Sequence, residues 1–324
     1  MRFLVGGIFA LLAAWGGYWY VGQRAIEGQI AAFLAQSPGG LIIEQSGYDV
    51  AGFPSRFDLT VTAPRVTDSA TGWGWSAEFA QVFAMTWKPW HLIAALPHSQ
   101  TVETPFGAAQ LDSSRFMASV RVAPDRAAGI EEVVVQVDAP VLSAPMLPKI
   151  SAETVVIALK HEVTQGFAYR FGVQIAQLTP LVAAPKGGNL TAARLDVVLH
   201  TAAALDRTAA ISLPEVTQID LEALSLQWGT VSVVGDGRVM QAVDGHAEGE
   251  IALKVQDWRG LPDALADFGL LRRDIAPTVL RALELIAKQK GNPEVLDLPL
   301  IFRSGRMYLG PLPLGAAPML GQRQ

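Results

Sequence analysis

The chain contains no cysteine. That excludes disulfides, thiol nucleophiles and zinc–cysteine sites together. It also fits a bacterial envelope protein better than a eukaryotic secreted domain, which commonly relies on disulfides. Charge is scarce: 17 % of the 324 residues are charged and the net charge is −5. No run of Lys or Arg occurs, so the electrostatic footprint of nucleic-acid binding is missing. Catalytic motifs are missing as well. The five histidines, His91, His98, His161, His200 and His246, show neither H-x-H nor H-E-x-x-H spacing, so no metal or cofactor is expected. There is no G-x-S-x-G elbow and no phosphate loop. Glu248 and Glu250 share a strand face with Lys254 and read as the polar side of an amphipathic strand rather than a glycosidase pair. Asn189-Leu190-Thr191 is a chance match to a glycosylation acceptor. Enzymatic activity is therefore not expected.

What is present begins at the amino terminus. Phe3 to Val21 carries no charge and is almost wholly apolar, and about 20 such residues cross a bilayer as a helix. Trp15, Tyr18, Trp19 and Tyr20 cluster at its end, where amphipathic rings favour the membrane–water interface. The rival reading is a cleavable signal, whose basic end Arg2 and the amine would supply. Bulky aromatics follow Ala14, however, and no small-x-small site stands at the right distance. The expectation is an uncleaved anchor over 1–22. Arg2 is set against Arg24 and Glu27 across it, a weak positive-inside bias. The short leading tail puts the amino terminus in the cytoplasm and the remainder in the periplasm of a bacterial inner membrane. Ile26, Ile30, Phe33 and Leu34 fall on one helical face, which extends the helix as a juxtamembrane segment over 23–37. Ser37-Pro38-Gly39-Gly40 ends it.

From Leu41 the period becomes two. Phe57, Leu59 and Val61 alternate with polar residues up to Pro64. Similar runs follow at Ser113–Val122, at Val133–Val137, and, after a proline-rich break from Pro140 to Pro148, at Val155–Leu159, Phe167–Ile175, Ala193–Leu199, Leu224–Trp228 and Ala247–Val255. Val231 and Val233 lead to Gly235-Asp236-Gly237, read as a hairpin turn. The 30 glycines and 20 prolines are spread along the chain, as many strands joined by turns require. This order predicts an antiparallel meander, a mainly β ectodomain over 38–324 built as a long sheet, a sandwich or an open groove. A sub-boundary at 139–150 is left open. Leu261, Leu265, Phe268, Ile275, Val279, Leu283 and Ile286 recur at helical spacing and predict a short helical pair split at Gly269 and Pro277. Strands return at Leu300–Phe302 and Met307–Leu309, with a turn-rich tail behind.

Trp73, Trp75, Trp87 and Trp90 lie close together with Phe79 and Phe83 between them. Read as one alternating stretch, Trp75, Ala77, Phe79, Phe83, Met85 and Trp87 share a face, with Gln81 the exception. Two readings stay open: the inward face of a sandwich core, or an apolar groove for lipid tails lined by Trp75, Phe79, Phe83 and Trp87.

Several fragments resemble domain-of-unknown-function family 2125 (DUF2125), a set of Gram-negative envelope proteins. These are Gly52-Phe53-Pro54-Ser55-Arg56-Phe57 before an alternating strand, Trp228-Gly229 leading through Gly237 to Gly249 and Asp257-Trp258, and the ending Gly305-Arg306-Met307-Tyr308-Leu309-Gly310-Pro311-Leu312-Pro313-Leu314-Gly315. The first and last also resemble pieces of anchored periplasmic β-proteins of envelope lipid traffic. All are turns and strand ends, and none implies a catalytic residue. The functional expectation is a single-pass protein that binds or conveys membrane lipid, or supports envelope assembly, through an apolar sheet face. The alternative is a scaffold for other envelope proteins that uses sheet edges and the helices near the C-terminus. An envelope hydrolase would need a cleft with convergent His and Glu side chains.

Overall fold

The structure is a computed structural model and describes residues 2–36, 41–105, 107–145, 147–179, 190–207, 213–262, 272–289, 293–310 and 312–320. It begins with one unbroken helix, α1 (Arg2–Gln36), which joins the expected anchor and juxtamembrane segments into a single rod. Arg2–Ala32 is long and apolar enough to cross a membrane. The Ser37–Gly40 stop lies outside the described residues.

The chain then makes seven passes, each carrying two strands in a row. They are β1 (Leu41–Glu44) with β2 (Gly47–Ala51), β3 (Arg56–Thr62) with β4 (Arg65–Asp68), β5 (Gly74–Ala77) with β6 (Phe79–Met85), and β7 (Lys88–Leu96) with β8 (Ser99–Thr104). They continue with β9 (Gly107–Asp112) and β10 (Arg115–Val122), β11 (Ile130–Asp138) and β12 (Val141–Ala144), and β13 (Leu147–Ser151) and β14 (Thr154–His161). Single strands follow: β15 (Ala168–Leu178), β16 (Leu190–Thr201), β17 (Val216–Trp228), β18 (Val231–Gln241) and β19 (Ala247–Gln256). Helix α2 (Ala276–Gln289) precedes β20 (Val295–Arg303), β21 (Arg306–Leu309) and β22 (Leu312–Ala316).

These strands form a 15-stranded sheet, β2-β3-β6-β7-β10-β11-β14 and then β15 to β22 in order, and a 7-stranded sheet, β1-β4-β5-β8-β9-β12-β13. The short sheet repeats the order of the first seven strands of the long one. It is therefore a flap, made by bending the same seven passes at one line. Strands that bend from one sheet to another are a known way to turn a corner. The bend lies at Ala63-Pro64, Glu78, Pro97-His98, Ser113-Ser114, Ala139-Pro140 and Ala152-Glu153, with Gln45-Ser46 in the first pass. Ala63 and Ala139 take positive φ there, 49° and 47°, each before a proline. Backbone pairing continues through the corner: Ser46 N donates to Thr62 O, Ala63 N to Glu78 O, Ser114 N to Asp138 O, and Ala139 N to Glu153 O, at 2.8–3.0 Å. The ladder from Glu132↔Lys160 to Asp138↔Thr154 is unbroken, so the Pro140–Pro148 stretch is a hairpin of the flap attached to a continuous long sheet.

The register makes one face of the long sheet apolar across almost its whole width. One row runs Val50, Leu59, Val82, Ala94, Ala118, Val135, Ile157, Val173, Leu195, Leu224, Gly235, Leu253, Leu298 from β2 to β20. The next runs Phe57, Ala84, Leu92, Val120, Val133, Leu159, Phe171, Val197, Leu221, Gly237, Ile251, Leu300, Leu309 from β3 to β21. The opposite face is mixed and carries ion pairs such as Arg121–Glu132 and Arg170–Asp196.

Two expectations are corrected by this register. Gly235-Asp236-Gly237 is not a hairpin turn but the middle of β18, where Gly235 pairs with Leu253 and Gly237 with Ile251. The β17–β18 hairpin is Gly229-Thr230 instead. Gly237 is needed for close approach: its φ is 156°, and a Cβ would collide with the Glu250 carbonyl and sit 2.6 Å from Ile251 Cα. On its other side it stands next to a bulge in β17 between Leu221 and Leu224. The helical pair is also seen only in part. α2 is present, with Pro277 in its first turn, where a proline removes no hydrogen bond. Leu265, Phe268 and Gly269 lie outside the described residues. The tail at 312–316 is a strand, β22, paired with β21.

Replacing Gly237 with Val should cost about 1–3 kcal/mol of stability, the range for enforced backbone strain and overpacking. Gly129→Ala is the control, because no atom lies within 4 Å of a Cβ built there. Chemical denaturation of both variants would show the difference, and equal midpoints would contradict the mid-strand geometry.

Candidate functional site

The flap has its own apolar face. Ile43, Val66, Trp75, Val102 and Ala109 form one row, and Ala77, Gln100, Leu111, Leu142 and Ile150 the next. The reverse side carries Glu44, Arg65, Ser76, Thr101, Gln110 and Ser143. Ile43 of the flap, Tyr48, Leu59, Val61 and Ala80 of the long sheet and Ile30 and Leu34 of α1 line a partly open pocket of about 440 Å³, with Gln29, Glu44 and Gln45 at its margin. The apolar faces of flap and sheet thus face the same space. Together they make a trough with apolar walls.

The trough is stopped at both ends. At the β2–β3 end, α1 lies across it. Phe57 is 5 % exposed and stacks on Trp19 at 5.9 Å. Gly22 lets the helix come this close, since a Cβ there would lie 2.6 Å from Phe57 Cζ. Gln23 donates to the carbonyl of Val50 on the edge strand β2. The Ile26–Leu34 face of the expected juxtamembrane segment is half-buried against the sheet; the Phe33 side chain lies outside the described residues. At the other end, Leu283 and Ala287 of α2 pack with Trp258, Val231, Val255, Leu296 and Leu298. Trp258 is fully buried and donates to Pro293 O, with the Arg259 guanidinium 5.4 Å from its ring centre.

Between these ends the apolar rows are filled only in part: Val197 and Leu221 are buried, 7 % and 8 % exposed, but their neighbours towards α1 are not. Leu92, Ala94, Ala118, Val120, Val133, Val135, Leu159, Phe171, Val173 and Leu195 are only half-buried, and Ile157 is 38 % exposed. In a filled sandwich such inward side chains would be covered at native packing density. Among the described residues, no helix lies over this middle stretch. Of the two readings left open by the sequence, the sheet shape is that of an open trough.

The four residues expected to line a groove do not come together. Trp75 lies on the inward row of the flap, with its indole N–H donating to the buried Gln100 at 2.9 Å. Phe79 and Phe83 lie on β6 of the long sheet, opposite Thr62 and Asp58, on the face away from Val82 and Ala84. Trp87 is in the β6–β7 turn and 59 % exposed. The cause is the corner. Crossing Glu78 shifts the alternation by one, so the inward residues change from Trp75 and Ala77 to Val82 and Ala84. The same shift occurs in every pass except β7–β8, where the even-numbered Ala94, Leu96, Gln100 and Val102 all face inward.

The polar side holds one nearly buried carboxylate. Asp220 on β17 accepts from Arg238, Gln218 and His200. Burial alone would raise its pKa, but these hydrogen bonds and the Arg238 charge outweigh it and hold Asp220 below the usual carboxylate range. The cluster ties β16, β17 and β18 together on the outer face. The other histidines have neighbouring partners: His91 bonds Ser119, His98 the Ser113 carbonyl and His161 the Gly166 carbonyl, and His246 Nδ1 lies 3.1 Å from Asp244 Oδ2. Among the described residues no group of three His, Asp or Glu is placed to hold a metal.

A family model described as "Uncharacterized protein conserved in bacteria (DUF2125)" matches residues 19–318. The chain belongs to that family. No curated protein matches it.

Because the folded-state pKa of Asp220 is lowered, its stabilisation is present above the ordinary carboxylate pKa of about 3.9 and is lost as pH falls through the folded value. Asp220→Asn should therefore cost about 1–3 kcal/mol at pH 7, the range for a disrupted buried hydrogen-bonded group. Its deficit against the parent chain should close as pH drops below 4. Denaturation midpoints of the two chains from pH 7 to 3 would test this, and a deficit independent of pH would contradict it.

Proposed function

We propose that this member of the DUF2125 family is a non-enzymatic protein of the bacterial inner membrane. It is anchored by α1, with its β-domain in the periplasm, and it binds or conveys lipid along the trough in support of the envelope. The observation that carries this reading is the half-covered middle stretch, from Leu92 to Leu195, of two apolar rows that cross thirteen strands between two stopped ends. Contiguous exposed apolar surface of this extent marks a site for an apolar ligand, a membrane or a partner. Its two walls converge on a cavity of about 440 Å³, within the roughly 300–1,000 Å³ of ordinary ligand sites. An acyl chain needs only such an apolar channel, with no directed polar groups along its length.

The anchor reading is supported by the contacts of α1. Trp15, Tyr18 and Trp19 hydrogen-bond the β-domain, and Gly22 is fitted to Phe57. A cleaved signal would take these contacts away and uncover Phe57. The family match also begins inside the helix, at residue 19. The scaffold alternative fares less well with respect to α2, because the apolar face of that helix is already occupied by Trp258 and Leu296.

Ile157→Lys tests the trough. The side chain is 38 % exposed on the apolar face, so the variant should lose little stability, its midpoint staying close to that of the parent chain. A cation in the middle of the path should lower the lipid that copurifies with the full chain several-fold, measured by mass spectrometry of extracts. Phe57→Asp buries an unpaired charge at a cost of several kcal/mol and should unfold the domain. If the parent chain carries no lipid, and crosslinking in intact cells recovers protein partners without lipid, the scaffold reading replaces this one.

A further inference from the structure

Two hairpin tips stand beside the helix at a level that the span itself requires. The indole of Trp15 donates to Pro54 O at 2.9 Å and that of Trp19 to Arg56 O at 2.7 Å, while Tyr18 donates to Thr86 O at 2.7 Å. Thr86 in turn donates to Ser55 O, so the β2–β3 and β6–β7 tips are locked to each other and to one turn of α1. In the uncharged run between Arg2 and Arg24 only Phe3–Ala14 is clear of these contacts, and at about 1.5 Å per residue it covers about 18 Å. The hydrocarbon core is about 30 Å thick. If α1 crosses a bilayer, Trp15–Val21 must supply the remaining depth, and the tips bonded to it must reach the membrane surface.

The chemistry of the tips fits that position. Phe53 is 62 % exposed, Trp87 59 % and Met85 42 %. Arg56 and Lys88 follow the two tips in sequence, as apolar and aromatic groups followed by cations should at a headgroup layer. We infer that the β2–β3 and β6–β7 hairpins dock in the bilayer interface, with Phe53 and Trp87 inserted at the headgroup–acyl boundary. This rests on the anchor reading above and adds to it. The apolar rows of the trough start within a few residues of these tips, at Val50, Phe57, Ala84 and Leu92, so docking sets that end of the trough against the leaflet.

The absence of cysteine allows single labels. Phe53→Cys, Met85→Cys and Trp87→Cys would each carry an environment-sensitive NBD probe, with Ala70→Cys in the β4–β5 turn of the flap as the reference. The full chain would be reconstituted in phosphatidylethanolamine–phosphatidylglycerol vesicles containing doxyl-labelled lipid. Quenching several-fold stronger at 53, 85 and 87 than at 70 is expected. Met85→Cys repeats the measurement with both aromatic rings in place. Quenching at all three tip positions no greater than at 70 would overturn the docking. Lipid found in the trough with unquenched tips would sink this inference alone, and quenched tips on a chain without copurifying lipid would sink the trough alone.

Discussion

The fold depends on a backbone ladder that must stay paired while the sheet turns a corner. Seven passes cross the same line, and an unpaired amide or carbonyl there would cost as much as a lost hydrogen bond. The chain solves this with an irregular residue or two per pass. Ala63 and Ala139 take left-handed conformations before prolines, and the ladder resumes on the other side. Proline suits that line because its ring removes a donor where regular pairing is interrupted. Everything inward or outward is set by this device, since an extra residue at the corner exchanges the two faces of the strand.

A bent sheet with one apolar face has two ways to hide it. A second layer can fill the space, as in a sandwich, or the bend can narrow the opening and elements can stop the ends. This protein does the latter, with α1 against Phe57 and α2 against Trp258 and Leu296. The buried clusters lie towards the α2 end, and the middle rows stay half-covered. Stability there comes from the ladder and from cross-strand pairs such as Val133 with Leu159 and Phe171, rather than from a packed core.

Much of this was legible in residue order. Period-two runs located β3, β10, β11, β14, β15, β16 and β19 within a few residues, and the long apolar start located α1. What was not legible followed from the corner and from close approach. Trp75 to Trp87 reads as one alternating strand because Glu78 looks like any other polar position, yet it divides two sheets and reverses the face. Gly235 and Gly237 have the composition of a turn, but the demand for glycine came from the close approach of β19, at Leu253 and at the backbone of Glu250 and Ile251, which no local pattern reports. The aromatics Trp15, Tyr18 and Trp19 stood out in the sequence, but their hydrogen bonds to Pro54, Thr86 and Arg56 did not, because these link residues 37 to 68 positions apart.

The tether and the trough explain each other physically. A long half-covered apolar face in water invites association with other copies, and edge strands make this worse. If α1 is the proposed anchor, one end of the face would be held beside a bilayer and have an apolar phase to exchange with, and α1 shields the edge strand β2 through Gln23. Contacts pinning the helix to the first two hairpins would be wasted if α1 were only a flexible leash, because a leash needs no fixed orientation. Trp15, Trp19, Gly22 and Gln23 fix one instead. The orientation they fix sets α1 alongside β2, with the β2–β3 and β6–β7 tips at the level of Trp15 and Trp19.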